Sequence, residues 1–312
     1  MTAKPVVVAV DGSEDSLRAA EWAALEARRQ SRPLRIVSAP ALVPRLHAYQ
    51  AAPEVIANAL RGISARALEA AITRCEEVAP GLPVTTGLLS GAPALAVAES
   101  GSEASMLVVG ARGAGGFAAM ILGSVSRYVA SHAKCPVVVA REESMAVHRE
   151  IAVGIRDPRD TGEALTFAFG EAALRGADLV AVHTWYWISV VPRAASADAA
   201  PGLRPDDPAR ISAEADRQLA AALAIWHDKY PAVNVRRDIV HGHPARVLAS
   251  YSARADLVVL GRHGHPEEAG PGIGSIQHAV LDHAHGPVAV VPSGAFRCKP
   301  GPKVLLPSAE RP

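Results

Sequence analysis

Short unbroken apolar runs alternate along this chain with longer stretches in which apolar residues return every three or four positions. In the first half the runs are VVVAV from Val6, LRIV from Leu34, PVTTGLL from Pro83, MLVV from Met106 and PVVVA from Pro136. They are largely β-branched and continuous rather than alternating, the pattern of parallel strands covered on both faces. Between the runs, Leu17, Ala20, Ala24 and Leu25 fall on one helical face, and Ile56, Leu60, Ile63, Ala67 and Ala71 on another. Ile211, Ala215, Leu219, Leu223 and Trp226 do the same in the second half, so each of these stretches predicts an amphipathic helix with its apolar stripe inward. Strand and helix alternating in this way predict an α/β fold with right-handed crossovers. Such a doubly wound parallel sheet has its ligand crevice beyond the carboxyl ends of the strands.

The pattern occurs twice. The segment from Met106 lies over the segment from Leu257 without a gap, at a constant offset of 151. Gly110, Gly113, Gly123, Ser124, His132 and Pro136 then meet Gly261, Gly264, Gly274, Ser275, His283 and Pro287. SGAP at Ser90 meets HGHP at His241 at the same offset. Nearer the N-terminus the offset is 145, bringing VVVAVDGSEDS from Val6 over IAVGIRDPRDT from Ile151 and LRIVSA from Leu34 over LVAVHT from Leu179. The six extra residues of the second copy fall in a Pro/Ala-rich loop, SVVPRAASADAAPGLRPDDPAR from Ser189, where insertions are tolerated. The reading is two domains, 1–143 and 149–294, each a five-stranded parallel sheet flanked by helices, with a C-terminal tail at 295–312.

A length of 312 residues also suits one α/β barrel, and the repeat decides for two domains. Hydrophobic residues at 49% and charged residues at 20% exclude a disordered chain, and aromatics at only 4% leave a core of small and β-branched aliphatics. A net charge of +1 gives no electrostatic case for nucleic acid or for an anionic membrane surface. Three cysteines, Cys75, Cys135 and Cys298, share no CxxC spacing, which argues against a disulfide framework and for a reducing compartment. Asp11 closes the first apolar run too early for a signal sequence, and no run reaches a membrane span. A soluble cytoplasmic protein is expected.

The candidate chemistry follows the fourth strand. Gly110 and Gly113 are followed, after nine residues, by Gly123 and Ser124. A glycine leaving a buried strand lets backbone amides approach a ligand, and a helix first turn adds N–H groups and a dipole for phosphate oxygens. Arg112 could pair with phosphate, and Asp11 at the first strand end could accept from a sugar hydroxyl or cap the following helix. No Walker loop, nucleophile elbow or HExxH occurs, which removes the main sequence support for those enzyme classes. Cys135 has no evident base and is expected to pack beside the last strand.

This arrangement, given twice over, resembles the universal stress protein family, in particular its tandem bacterial members and the branch that binds ATP. The resemblance runs from about Val6 to Ser293. It implies a Rossmann-like fold of the adenine nucleotide alpha hydrolase type, and ATP, with or without Mg2+, as the ligand. It places Val10 and Ala39 at the adenine, Asp11 at the ribose or adenine, and Gly110, Arg112, Gly113, Gly123, Ser124, Val125 and Ser126 around the ribose and polyphosphate, with Ala9 also in the nucleotide site. A second site would use Gly154, Ile155, Asp157, Gly261, Arg262, Gly264, Gly274, Ser275, Ile276 and Gln277. It is expected to be weaker or altered, because Arg156 stands where Asp11 does and Glu267 and Glu268 enter the flap. The family also implies pairing through the last strand, within the chain or as a homodimer, and a role in stress responses through a regulatory protein partner. Nine of the twelve histidines lie in the second half, with HxH pairs at 241/243 and 263/265, but no carboxylate or Cys stands at a familiar ligand spacing, so a metal site is not expected. Three functions follow: a nucleotide-binding regulator, a slow ATPase or ATP-using transferase, and a non-catalytic scaffold.

Overall fold

The computed structural model describes residues 3–40, 53–113, 122–141, 147–156, 162–185, 208–262 and 273–294. The first repeat runs β1 (Val6–Ala9), α1 (Glu14–Arg29), β2 (Leu34–Ser38), α2 (Pro53–Val78), β3 (Val84–Leu88), α3 (Pro93–Ser100), β4 (Met106–Gly110), α4 (Ser124–His132) and β5 (Val137–Ala140). The second runs β6 (Glu150–Ile155), α5 (Gly162–Arg175), β7 (Asp178–Trp185), α6 (Pro208–Lys229), β8 (Val235–His241), α7 (Pro244–Tyr251), β9 (Leu257–Arg262), α8 (Ser275–His283) and β10 (Val288–Pro292). All ten strands form one sheet in the order β3-β2-β1-β4-β5-β10-β9-β6-β7-β8. Within each repeat every pairing is parallel, as the continuous apolar runs predict.

Successive strand residues face opposite sides, so each strand feeds two cores. Val6, Val8 and Val108 pack on one side with α1, α2, α5 and α6, while Val7, Leu107 and Val109 pack on the other with residues of α3, α4, α7 and α8. Both cores continue from one repeat into the next. Burying each such Val or Leu contributes about 1.5–3 kcal/mol, and the many alanines of α1 let the helix lie close to the sheet. The inward stripe of α2 differs from the predicted one. Ile63 is 40% exposed, and the buried residues are Ser64, Ala67, Ala71 and Cys75. Small residues win this face because α2 approaches the turn before α1 closely: a Cβ on Gly12 would lie 3.4 Å from the Ala67 Cβ.

The two halves join through their last strands, β5 and β10, which pair antiparallel with Val138 opposite Ala289. This corrects the expected homodimer through the last strands. Each of the two is flanked on both sides, β5 by β4 and β10, and β10 by β5 and β9, so neither has a ladder edge left for a second chain. The outer edges are β3 and β8. On one face of the seam α1 meets α5, where Arg175 bonds the buried Glu26 at 2.6 Å and also bonds Glu171. On the other, Arg127 of α4 meets Asp282 of α8 at 3.0 Å. Among the described residues no helix is long and apolar enough to cross a membrane.

Candidate functional site

The strand order reverses its direction of growth between β1 and β4, and a doubly wound sheet opens a crevice at that point. There a cavity of about 270 Å³ lies beyond the strand ends, close to the low end of small-molecule sites at roughly 300 Å³. Its apolar lining is Ala9, Val10, Ala39, Pro93, Val97 and Val109. Its polar end is formed by Asp11, Ser16, Arg112, the glycines 110, 113 and 123, and the first turn of α4.

The turn after β1 is built to aim Asp11. Gly12 adopts a φ of +85°, a left-handed conformation that glycine takes without a Cβ clash. The Asp11 Oδ1 then accepts from the Ser13 amide at 3.0 Å and from the Ser13 hydroxyl at 2.6 Å. Ser13, not Asp11, is the N-cap of α1, its hydroxyl oxygen accepting from the Ser16 amide. The other carboxylate oxygen lies 2.5 Å from where a Cβ on Gly113 would stand. Gly113 therefore lets the carboxylate sit against the loop after β4.

The opposite wall is the start of α4. Gly123 is its N-cap, with no side-chain cap, and the Gly123 amide donates to the Ala111 carbonyl at 2.8 Å. The amides of the first helical turn, from Ser124 to Ser126, thus have no capping side chain, and these three residues line the cavity. Helix N-termini of this form attract anions through unsatisfied N–H groups and the helix dipole. The Ser126 hydroxyl donates to the Gly110 carbonyl at 2.6 Å, so its proton ties helix to strand and its amide is the donor left for a ligand. Arg112 lines the same cavity with its guanidinium on Asp15, Nε to Oδ2 at 2.9 Å.

All eleven residues expected at the first site line this one cavity. Ser16, Pro93, Val97 and Val109 line it too and were not anticipated. Pro93 carries a signal, because it closes the SGAP motif that recurs as HGHP; Val109 reads only as part of the MLVV strand run.

The second repeat has a counterpart of about 340 Å³, lined by Gly154, Ile155, Arg156, Gly261, Gly274, Ser275, Ile276 and Gln277, with Val182, Thr184, Pro244, Leu248 and Leu260. Two expectations change. Arg262 does not line it; its guanidinium donates to the carbonyls of Ser131 at 2.9 Å and Ala133 at 2.7 Å, at the C-terminus of α4. The reason is register: Arg262 follows Gly261 directly, one residue earlier than Arg112 after Gly110, and a one-residue step along a strand reverses the side-chain direction. The Gln277 amide, expected to serve a ligand, donates to the Gly261 carbonyl at 2.8 Å, the same tie that Ser126 makes. Asp157, Gly264, Glu267, Glu268 and the 263/265 histidines lie outside the described residues. Cys135 is buried, and burial pushes its thiol up to about 12, which leaves it unreactive at neutral pH. Among the described residues no three His, Cys, Asp or Glu side chains gather as metal ligands.

The sequence profile of the Universal stress protein family matches residues 2–141 and again 148–292. The chain belongs to the universal stress protein family. A universal stress protein of Mycobacterium tuberculosis is 35% identical over 293 residues, covering 91% of this chain and 96% of that one. Another, from Mycolicibacterium smegmatis, is 31% identical over 296 residues, covering 92% and 96%. Among solved structures, a universal stress protein from Archaeoglobus fulgidus superposes with a TM-score of 0.69 at 17% identity, covering 94% of this chain and all of that one (100%). At that identity it speaks for the fold alone. In this tandem universal stress protein each repeat supplies one half of the sheet.

Proposed function

We propose that this universal stress protein binds ATP in the first cavity and acts as a regulatory protein of the stress response, in the cytoplasm, its occupancy read by a protein partner. The observation that carries the reading is the convergence, in one cavity, of an aliphatic slot, a carboxylate and an uncapped helix start. Adenine would fill the slot between Val10, Ala39 and Val109, Asp11 would accept from ribose hydroxyls, and the α4 amides would hold the phosphates. Asp15 is already engaged by Arg112, and Asp11 by Ser13. Magnesium accompanying ATP would therefore be carried on the phosphates rather than by a dedicated carboxylate.

Gly123→Asp tests this. Aspartate is a favourable N-cap and complements the helix dipole, so the variant keeps α4 while placing a negative charge where the phosphates would lie. A Cβ there meets nothing nearer than 3.4 Å. Calorimetry with ATP and magnesium should show first-site affinity falling at least tenfold with the melting temperature unchanged or raised. Unchanged affinity would overturn the proposal.

A further inference from the structure

The second cavity keeps the aliphatic character and the helix start of the first, with Leu248, Leu260 and Thr184 in place of Val97, Val109 and Ala39 and Gly154 making room for the larger leucines, but it reverses the charge at the end of the first strand. Gly154, Ile155 and Arg156 occupy the positions of Ala9, Val10 and Asp11 by the repeat, and Gly274 and Ser275 those of Gly123 and Ser124. A carboxylate accepts hydrogen bonds from a ribose diol; a guanidinium only donates, and in a planar fork suited to phosphate oxygens. Arg156 is the only charged residue among the described residues lining this cavity, and it is exposed there. No described hydrogen bond or ion pair engages it.

One further difference shifts anion preference away from the helix end. The Gln277 Oε1 lies 2.7 Å from where a Cβ on Gly274 would stand, so an oxygen of the chain itself sits beside the α8 N-cap without capping it, and its partial negative charge weakens the pull of that helix start on an anion. In the first repeat the corresponding Ser126 is too short to do this. The cavity, at about 340 Å³, is no smaller than the first at about 270 Å³.

The geometry points to the second cavity as a site for an adenine nucleotide whose ribose itself carries a phosphate, at the 2′ or 3′ position, paired with Arg156. The inference rests on reading Asp11 as the sugar-diol acceptor of the first site.

Calorimetry on the full chain carrying Gly123→Asp, designed to weaken phosphate binding in the first repeat, reads the second. Adenosine 3′,5′-bisphosphate and adenosine 2′,5′-bisphosphate are the probes, against AMP and ATP. One equivalent of at least one bisphosphate should bind ten times or more tighter than AMP and ATP. Adding Arg156→Ala should weaken that bisphosphate at least tenfold while leaving AMP within about twofold, and Arg156→Asp should bring AMP above both. Equal affinity for AMP and the bisphosphates, no binding of either bisphosphate, or a bisphosphate indifferent to Arg156→Ala would each overturn the inference. The underlying reading is tested separately by Asp11→Asn in the otherwise native chain. ATP affinity unchanged there removes the sugar role of Asp11 whatever the second site does.

Discussion

Gly110 and Gly170 show how little a residue type says until its surroundings are known. A Cβ on Gly110 would lie 2.8 Å from the Asp15 carbonyl carbon and oxygen and 3.0 Å from the Ser16 amide nitrogen. These are backbone atoms of the α1 first turn and cannot swing aside, so strand and helix approach only because no side chain intervenes. Gly110→Ala should cost about 1–3 kcal/mol of stability by urea unfolding and weaken ATP binding by moving α1 off the cavity. Gly170, inside α5, meets nothing within 4 Å. Gly170→Ala should instead stabilise the protein by about 0.5–1 kcal/mol, from helix propensity alone. The sequence flagged Gly110 because its spacing to Gly113 and Gly123 recurs. It also identified Asp11, Arg112 and the α4 start as neighbours of one another, since chain order and the strand-end rule suffice for that. It misplaced Arg262, because a side chain's face depends on register, and the loop between motif glycines gives no register.

At the level of elements, most strands are legible from their apolar runs and helices from their three-to-four periodicity, while the edge strand β8, VRRDIVH, carries no such run. The α2 stripe holds at Ala67 and Ala71 and differs at Ile63, which looks like core by hydropathy, yet the face toward α1 takes Ser64 in its place. Helix ends needed the structure most. The C-terminus of α4 is capped from the other repeat by Arg262, whose charge faces the negative end of the helix dipole. Arg262→Met keeps much of the side-chain volume and removes the donors. It should lower stability by about 1–3 kcal/mol, seen as a shifted urea midpoint with an unchanged slope; an unchanged midpoint would show that water replaces the cap at no cost.

Across the whole molecule, the duplication brings equivalent residues face to face at the seam. Glu26 and Glu171 are the same position of the two repeats, as are Gln30 and Arg175. Both carboxylates are buried. Gln30 donates to Glu26 at 2.8 Å and to Glu171 at 3.3 Å, Arg29 donates to Glu26 at 3.3 Å, and Arg175 bonds both carboxylates. Burial first, and the Glu26 charge second, push the Glu171 carboxyl from 4.5 up to about 8, against the pull of Arg175. Between those values the unfolded chain releases a proton that the folded chain retains. Stability from this group is therefore complete below 4.5 and declines as pH rises toward 8. Melting temperatures from pH 5 to 8.5 should fall more steeply for the native chain than for Glu171→Gln, which cannot ionise; parallel slopes would sink the assignment. The sequence by itself determined the local periodicities, the repeat and the glycines that must lie at strand ends, because these depend on neighbours along the chain and are written twice. Only the tertiary structure decided that β5 pairs with β10 of the same chain, that Arg262 turns to α4, and that two glutamates share one buried Arg. Those outcomes depend on how two similar halves dock, and a repeat encodes the same complementary surfaces whether they meet within one chain or between two.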